Sequence, residues 1–412
     1  MDFKLIVIAL AVLGTLYSLV LNVVRYFSAN NPTPENLKDV YDAETYEKWK
    51  QYSKEHSRLA IVSTIVTGVI TVSLLYTNAY SAFARLFPNQ WIYQLVAVVL
   101  LESLVGAVIG VVESYISTMK IEQKYGFNRS TMKTFIFDRI RNFLAGTALS
   151  IVLAILIALC YQYLGVMMIP VFAAVAFLFT LLASFLYPLL SRIGNKFTPL
   201  EDGELKDSLM KLLDKYGYKV KAIEVMDASR RTTKLNAYFT GFGKMKTIVL
   251  YDNLINAMTT EEICAVFAHE LGHGLNKDVQ KSHVLNIFQL LLMAAMAWGL
   301  VGLSQVYSDF GFTAVNFGFT YILLGVGLGI LRPITGLVMN ARSRKAEYRA
   351  DRQAVIEGYG EAMISAFKKL ARDNFSHLSP SFINVVLEYS HPPLKARIKN
   401  VEKCMNRLNK RK

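Results

Sequence analysis

Residues Ala268-His269-Glu270-Leu271-Gly272-His273 contain H-E-x-x-H. On a helix, four residues advance about 400°, so the two histidines lie about 40° apart on one face. Their imidazoles can converge on one Zn²⁺ at about 2.0–2.1 Å. Glu270 points roughly 100° aside, where it can reach a metal-bound water without occupying the metal, the position of a general base. Thr259-Thr260-Glu261-Glu262 offers a helix start just upstream, with Thr259 as N-cap and Glu262 closing a capping box. A chance match would leave a charged helix face, but these are two of only six histidines in the chain.

A catalytic zinc needs a third protein ligand and one open position. The stretch from Asn340 to Asp351 offers Glu347 as that ligand. Asp351, one turn later on the same face, is placed to hydrogen-bond a ligating histidine, and Arg344, one turn earlier, to hold a carboxylate. Asn340 stands at the head of the same segment, a further residue to support the site from behind. Read alone, the segment is equally a solvated helix with i,i+4 ion pairs.

The elements that must carry these residues are largely apolar. The chain has 412 residues, 53% hydrophobic and 18% charged, against about 25% charged in soluble proteins. That excludes a purely soluble enzyme, a disordered chain and a fibrous repeat. A membrane-crossing helix needs roughly 20 mostly apolar residues. Seven runs qualify, at about 5–24, 59–84, 91–116, 142–162, 166–191, 284–308 and 310–331, the fourth and fifth separated near Gln162–Gly165. All basic residues except Lys4, Arg85 and Arg332 then fall on one side of the membrane. The short segment 120–141, with six basic and two acidic residues, is the best witness that this side is cytosolic. The formal charge of +14 therefore reads as topology, with membrane lipid as the surround and no nucleic acid partner. Three cysteines give no disulfide framework, and Cys264, among apolar neighbours, reads as a packed thiol. Glu102 and Glu113, inside the third run, face either water or an ion-pair partner, Arg332 being the candidate.

The order of segments divides the chain into a membrane part (1–191), a polar part holding the histidine motif (192–281), two further crossings (282–340) and a polar tail (341–412). The polar part predicts an amphipathic helix at Leu205–Tyr216 and a strand-like stretch at Ala222–Met226, followed by Arg230–Ala237 and an apolar run at Thr247–Tyr251.

The His269–His273 motif, Glu347-Tyr348-x-Ala350-Asp351 and the seven runs together resemble the integral-membrane CAAX prenyl protease 1 family. Other stretches match in order: Glu113-Ser114-Tyr115, Tyr125-Gly126-Phe127-Asn128, Asn195 to Leu200, Asn236-Ala237-Tyr238, Ile248 to Asp252, and Tyr389-Ser390-His391-Pro392-Pro393. The resemblance implies a mostly α fold: a barrel-like bundle of seven helices around a hydrated chamber, with a cytosolic zincin-like metalloprotease domain containing a small β element. It implies one Zn²⁺ per chain near the cytosolic end. It implies that Asn236 and His391 face the substrate opposite the metal, and that backbone near Ala237 pairs with an extended peptide. The substrate implied is the prenylated carboxyl terminus of a protein, losing its last three residues. The membrane is that of the endoplasmic reticulum in a eukaryote, or the inner membrane in a bacterium.

Two other readings remain at this point. One is a quality-control zinc protease without a prenyl requirement. The other is a channel or lipid-binding protein with a structural metal. A structural zinc wants four protein ligands, and an intact Glu270 speaks against it.

Overall fold

The computed structural model describes residues 2–192, 194–240 and 247–410. The chain opens with α1 (Phe3–Ser28), α2 (Ala43–Tyr76), the short α3 (Ala79–Ala84) and α4 (Trp91–Ser114), which continues with wider winding through Tyr115–Glu122. Next come α5 (Met132–Leu164) and α6 (Met168–Leu190). The polar part holds β1 (Phe197–Pro199), α7 (Glu204–Lys215), β2 (Ala222–Met226), β3 (Ala237–Thr240), β4 (Thr247–Tyr251), α8 (Asp252–Ala257) and α9 (Thr260–Leu275). Then follow α10 (Asp278–Gly302), α11 (Ser304–Asp309), α12 (Phe317–Ile356), α13 (Gly360–Asp373), α14 (Phe382–Leu387) and α15 (Leu394–Asn409).

Among the described residues six segments are long and apolar enough to cross a membrane, making the chain an integral multi-pass membrane protein. The longest of them, Met132–Leu186, has 55 residues and contains α5 and the apolar part of α6. Gly165 divides it, with φ 53° and ψ −128°, a combination that glycine adopts without strain. Ile157 and Cys160 of α5 then share a core with Phe172 and Ala176 of α6 and Ala294 and Ala297 of α10.

Helices outrun their charge-free stretches at both ends. α2 begins at Ala43, well before Arg58, because an N-cap at Asp42 and i,i+4 pairing such as Glu44–Lys48 carry the helix through polar sequence. α12 is a single helix of 40 residues, about 60 Å long, running from apolar sequence through Pro333 into the charged segment that ends at Ile356.

Glu102 and Glu113 do not pair with Arg332. Each accepts a hydroxyl instead, from Tyr80 and Ser63 respectively. A single hydrogen bond satisfies a carboxyl group without the cost of ordering a long guanidinium chain. Both also border a cavity of about 980 Å³ lined mainly by the long apolar helices and also by Leu387 and Glu388.

Among the described residues the sheet has four strands in the order β1-β2-β4-β3. β2 and β4 are parallel and both outer pairs antiparallel, with Ala237 opposite Leu250 on the β3 edge. Ile248 and Leu250 pack on Leu209 and Leu213 of α7 and on Ile263, Cys264 and Phe267 of α9. The other side of α9, Ala265 and Ala268, packs on Ala354, Met363, Ile398 and Val401 of the carboxyl-terminal helices. α9 is thus enclosed on both faces, and a polar side chain there must find a partner.

Candidate metal centre

α9 starts as its sequence dictates. Thr259 accepts from the N–H of Glu262, and the Glu262 carboxylate accepts from the N–H of Thr259. The helix ends at Leu275, and Lys277, with a φ of 54°, turns the chain directly into α10. This leaves His269 and His273 one turn apart, with ring centroids 4.8 Å apart and planes perpendicular. Across from them runs the polar end of α12. The two helices cross at Gly272, where a Cβ would stand 2.9 Å from the Cα of Ala350. Only a hydrogen fits there, and the close crossing brings Glu347 against both histidines.

The trio has a ligand geometry. One ligand atom from each of His269, His273 and Glu347 lies within 4.8 Å of the others. His269 Nε2 is 3.5 Å from Glu347 Oε2, and His273 Nε2 is 3.3 Å from Glu347 Oε1. Two atoms each 2.0–2.1 Å from a tetrahedral centre stand about 3.3 Å apart. Glu347 Oε2 is buried and accepts no hydrogen bond. Two nitrogens and one carboxylate, one of whose buried oxygens accepts no hydrogen bond, fit a zinc ion.

Each ligand is held from behind. Asp351 Oδ1 lies 2.9 Å from His269 Nδ1, and Asp278 Oδ2 lies 3.1 Å from His273 Nδ1. Such contacts fix the ring and leave Nε2 as the metal-facing nitrogen. Burial alone would depress the His273 pKa, but the carboxylates of Glu347 and Asp278 outweigh it and push it up to about 9. A dication in place of that proton answers the same two carboxylates. Arg397 reaches in from α15, with Nη2 3.1 Å from Glu347 Oε2 and 2.5 Å from Asp351 Oδ1. Glu270 is half-buried and, among the described residues, makes no hydrogen bond or ion pair.

The remaining expected residues fall in two places. His391 comes to the metal trio: its Nε2 is 3.2 Å from Glu347 Oε1, its Nδ1 is 2.9 Å from Ser390 Oγ, and its side chain is 64% exposed. Asn236 stands exposed at the start of β3, its Oδ1 accepting the N–H of Ala237, and among the described residues shares no hydrogen bond with the trio. Arg344 does not hold a carboxylate. Its Nη1 donates to the carbonyls of Val385 and Tyr389 at 2.8 and 2.7 Å, while Asn340 donates to that of Leu387. The nearest acceptors are the unpaired carbonyls at the end of α14, so both residues brace the segment before His391. Sequence reasoning missed Asp278 and Arg397. Asp278 opens the helix directly after His273, a signal that was available. Arg397 follows His391 by six residues on an amphipathic helix and gave no sign of pointing inward.

Residues 199–405 match Peptidase family M48, and residues 23–192 match the CAAX prenyl protease N-terminal region of five membrane helices. The CAAX prenyl protease 1 of Saccharomyces cerevisiae is 30% identical, covering 89% of this chain and 87% of its own length. A homolog from Arabidopsis thaliana is 31% identical over 90% of both chains. The crystal structure of S. mikatae Ste24p superposes with a TM-score of 0.90 at 26% identity, covering 98% of this chain and 99% of the other. With family models matching 199–405 and 23–192 and with relatives of 30% identity matched over most of its length, the chain belongs to peptidase family M48, among the membrane metallopeptidases of the CAAX prenyl protease 1 type.

Proposed function

We propose that this protein is a membrane-embedded zinc endopeptidase that removes the last three residues from the carboxyl termini of prenylated C-a-a-X proteins. The observation that carries the reading is the trio of buried His269 and Glu347 with half-buried His273, beside a Glu270 that makes no hydrogen bond or ion pair among the described residues. The substrate class follows from the relatives' names and from full-length similarity to them.

His269, His273 and Glu347 would hold the zinc. When bound, the metal supplies Lewis acidity to water and to the scissile carbonyl. Glu270 takes the proton from the attacking water and returns it to the leaving amine. His391, mostly exposed next to Glu347, donates to the developing oxyanion. The β3 edge at Asn236 and Ala237 offers main-chain pairing to an extended peptide, which binds without reading side chains. Asp351 and Asp278 orient the histidines.

The membrane part reads as seven crossings, counting α5 and α6 separately, around the chamber whose described portion is the cavity of about 980 Å³. The excess of basic residues puts the peptidase domain and carboxyl terminus in the cytosol. The membrane is that of the endoplasmic reticulum in a eukaryote or the inner membrane in a bacterium. The assay that tests the substrate class compares one peptide ending in C-a-a-X with and without a prenyl group. Faster release of the last three residues from the prenylated peptide supports the proposal. Equal rates with cleavage at scattered bonds would make the protein a general membrane protease.

A further inference from the structure

The segment that carries His391 is clamped between the first and last long apolar helices. On one side, Arg344 and Asn340 of α12 hold the carbonyls of Val385, Leu387 and Tyr389. On the other side stands α1. Arg25 Nη2 lies 2.8 Å from both carboxylate oxygens of Glu388, and its Nη1 donates to Asn22 at 3.1 Å. Asn384 adds a bond to Glu388 and another to the carbonyl of Leu21. Beyond Tyr389 only Ser390 separates the clamp from His391, and Pro392-Pro393 stiffens the exit.

We propose that Arg25 is a positioning residue for peptide hydrolysis, acting through Glu388 to aim His391 at the reacting carbonyl. The inference rests on the oxyanion reading of His391. The Arg25–Glu388 side chains are 34% and 27% exposed, which argues against a role in holding the fold together. Partly wet ion pairs contribute little stability. They do fix geometry, and a displacement of about 1 Å in a catalytic group can cost 10²-fold in rate. The wet side is a cavity wall: Arg25 and Glu388 border the cavity of about 980 Å³, and Arg25 and Tyr389 border a second of about 310 Å³. The pair therefore stands between the cavity and the loop, some distance from the metal trio and with no contact to it among the described residues.

The test is a double-mutant cycle on the full-length, zinc-loaded protein, with kcat, KM and metal content measured on a prenylated C-a-a-X peptide. His391→Ala should lower kcat by roughly 10²–10³ with zinc retained. Arg25→Gln should lower kcat by roughly 5- to 50-fold, with KM and zinc near normal, and Arg25→Lys should recover part of that loss. In the His391→Ala background, Arg25→Gln should add less than about twofold, because its target is gone. An equal further drop in that background would overturn the proposal, as would a change confined to KM or loss of zinc from both Arg25 variants. Normal kcat in His391→Ala would refute the oxyanion reading itself, and the positioning role with it.

Discussion

Gly272 and Ala350 are in backbone contact: a Cβ at position 272 would lie 2.9 Å from the Cα of Ala350 and 3.0 Å from Gln353 Cβ. This crossing, between the two histidines in sequence, sets the distance from α9 to α12. Gly272→Ala must push the helices apart by some tenths of an ångström or more, at the point where Glu347 meets both rings. We predict weakened zinc binding with folding largely retained, since overpacking costs typically 1–3 kcal/mol. Metal titration of the purified variant checks this, and wild-type affinity would show that the crossing has slack.

Glu270→Gln separates chemistry from binding. The amide keeps the shape and leaves all three ligands intact, so zinc should remain while turnover falls by at least 10²–10⁴. Normal turnover in this variant would remove Glu270 from the reaction.

Much of this site was legible because it is local. The histidines, Glu270 and the Thr259–Glu262 box sit on one helix, where spacing alone fixes geometry. Glu347 and Asp351 are likewise one turn apart, so pairing one with the metal puts the other against a histidine. What spacing cannot show is which distant element closes on the site. Arg397 lies 46 residues beyond Asp351 and joins it only through the packing of α15 on α12. Arg344 was misread for the same reason: its partners are backbone carbonyls, which carry no sequence signature. Caps and ion pairs extend a helix past its apolar run, as in α2 and α12, so hydropathy alone does not mark where such helices begin or end.

His377 gives a pH dependence outside the metal site. It is bonded to Ser28 at 2.8 Å and packed edge-on against Trp49. Burial, helped by the charge of Arg25, holds its pKa down to about 4 from 6.5. Between those values the unfolded chain binds the proton and the folded chain does not, so stability rises with pH there. The contribution is complete above pH 6.5, is lost progressively as pH falls toward 4, and amounts to at most about 3 kcal/mol. His377→Gln should flatten the dependence of Tm on pH in this window. An unchanged slope would assign it to other groups.

The crossings make a topological prediction. Cysteines placed at Asp207 and Lys399 should label from one side of a sealed vesicle, and one at Asp309 from the other. Labelling of all three from one side would require an even number of crossings between them.

The central claim is that His269, His273 and Glu347 hold one catalytic zinc. The most direct measurement is zinc content and peptidase turnover, side by side, for the wild type and for His269→Ala, His273→Ala and Glu347→Ala. The account predicts one zinc per chain in the wild type, with zinc and turnover lost together in each variant. Full zinc and normal turnover in Glu347→Ala would contradict it and send the third ligand elsewhere.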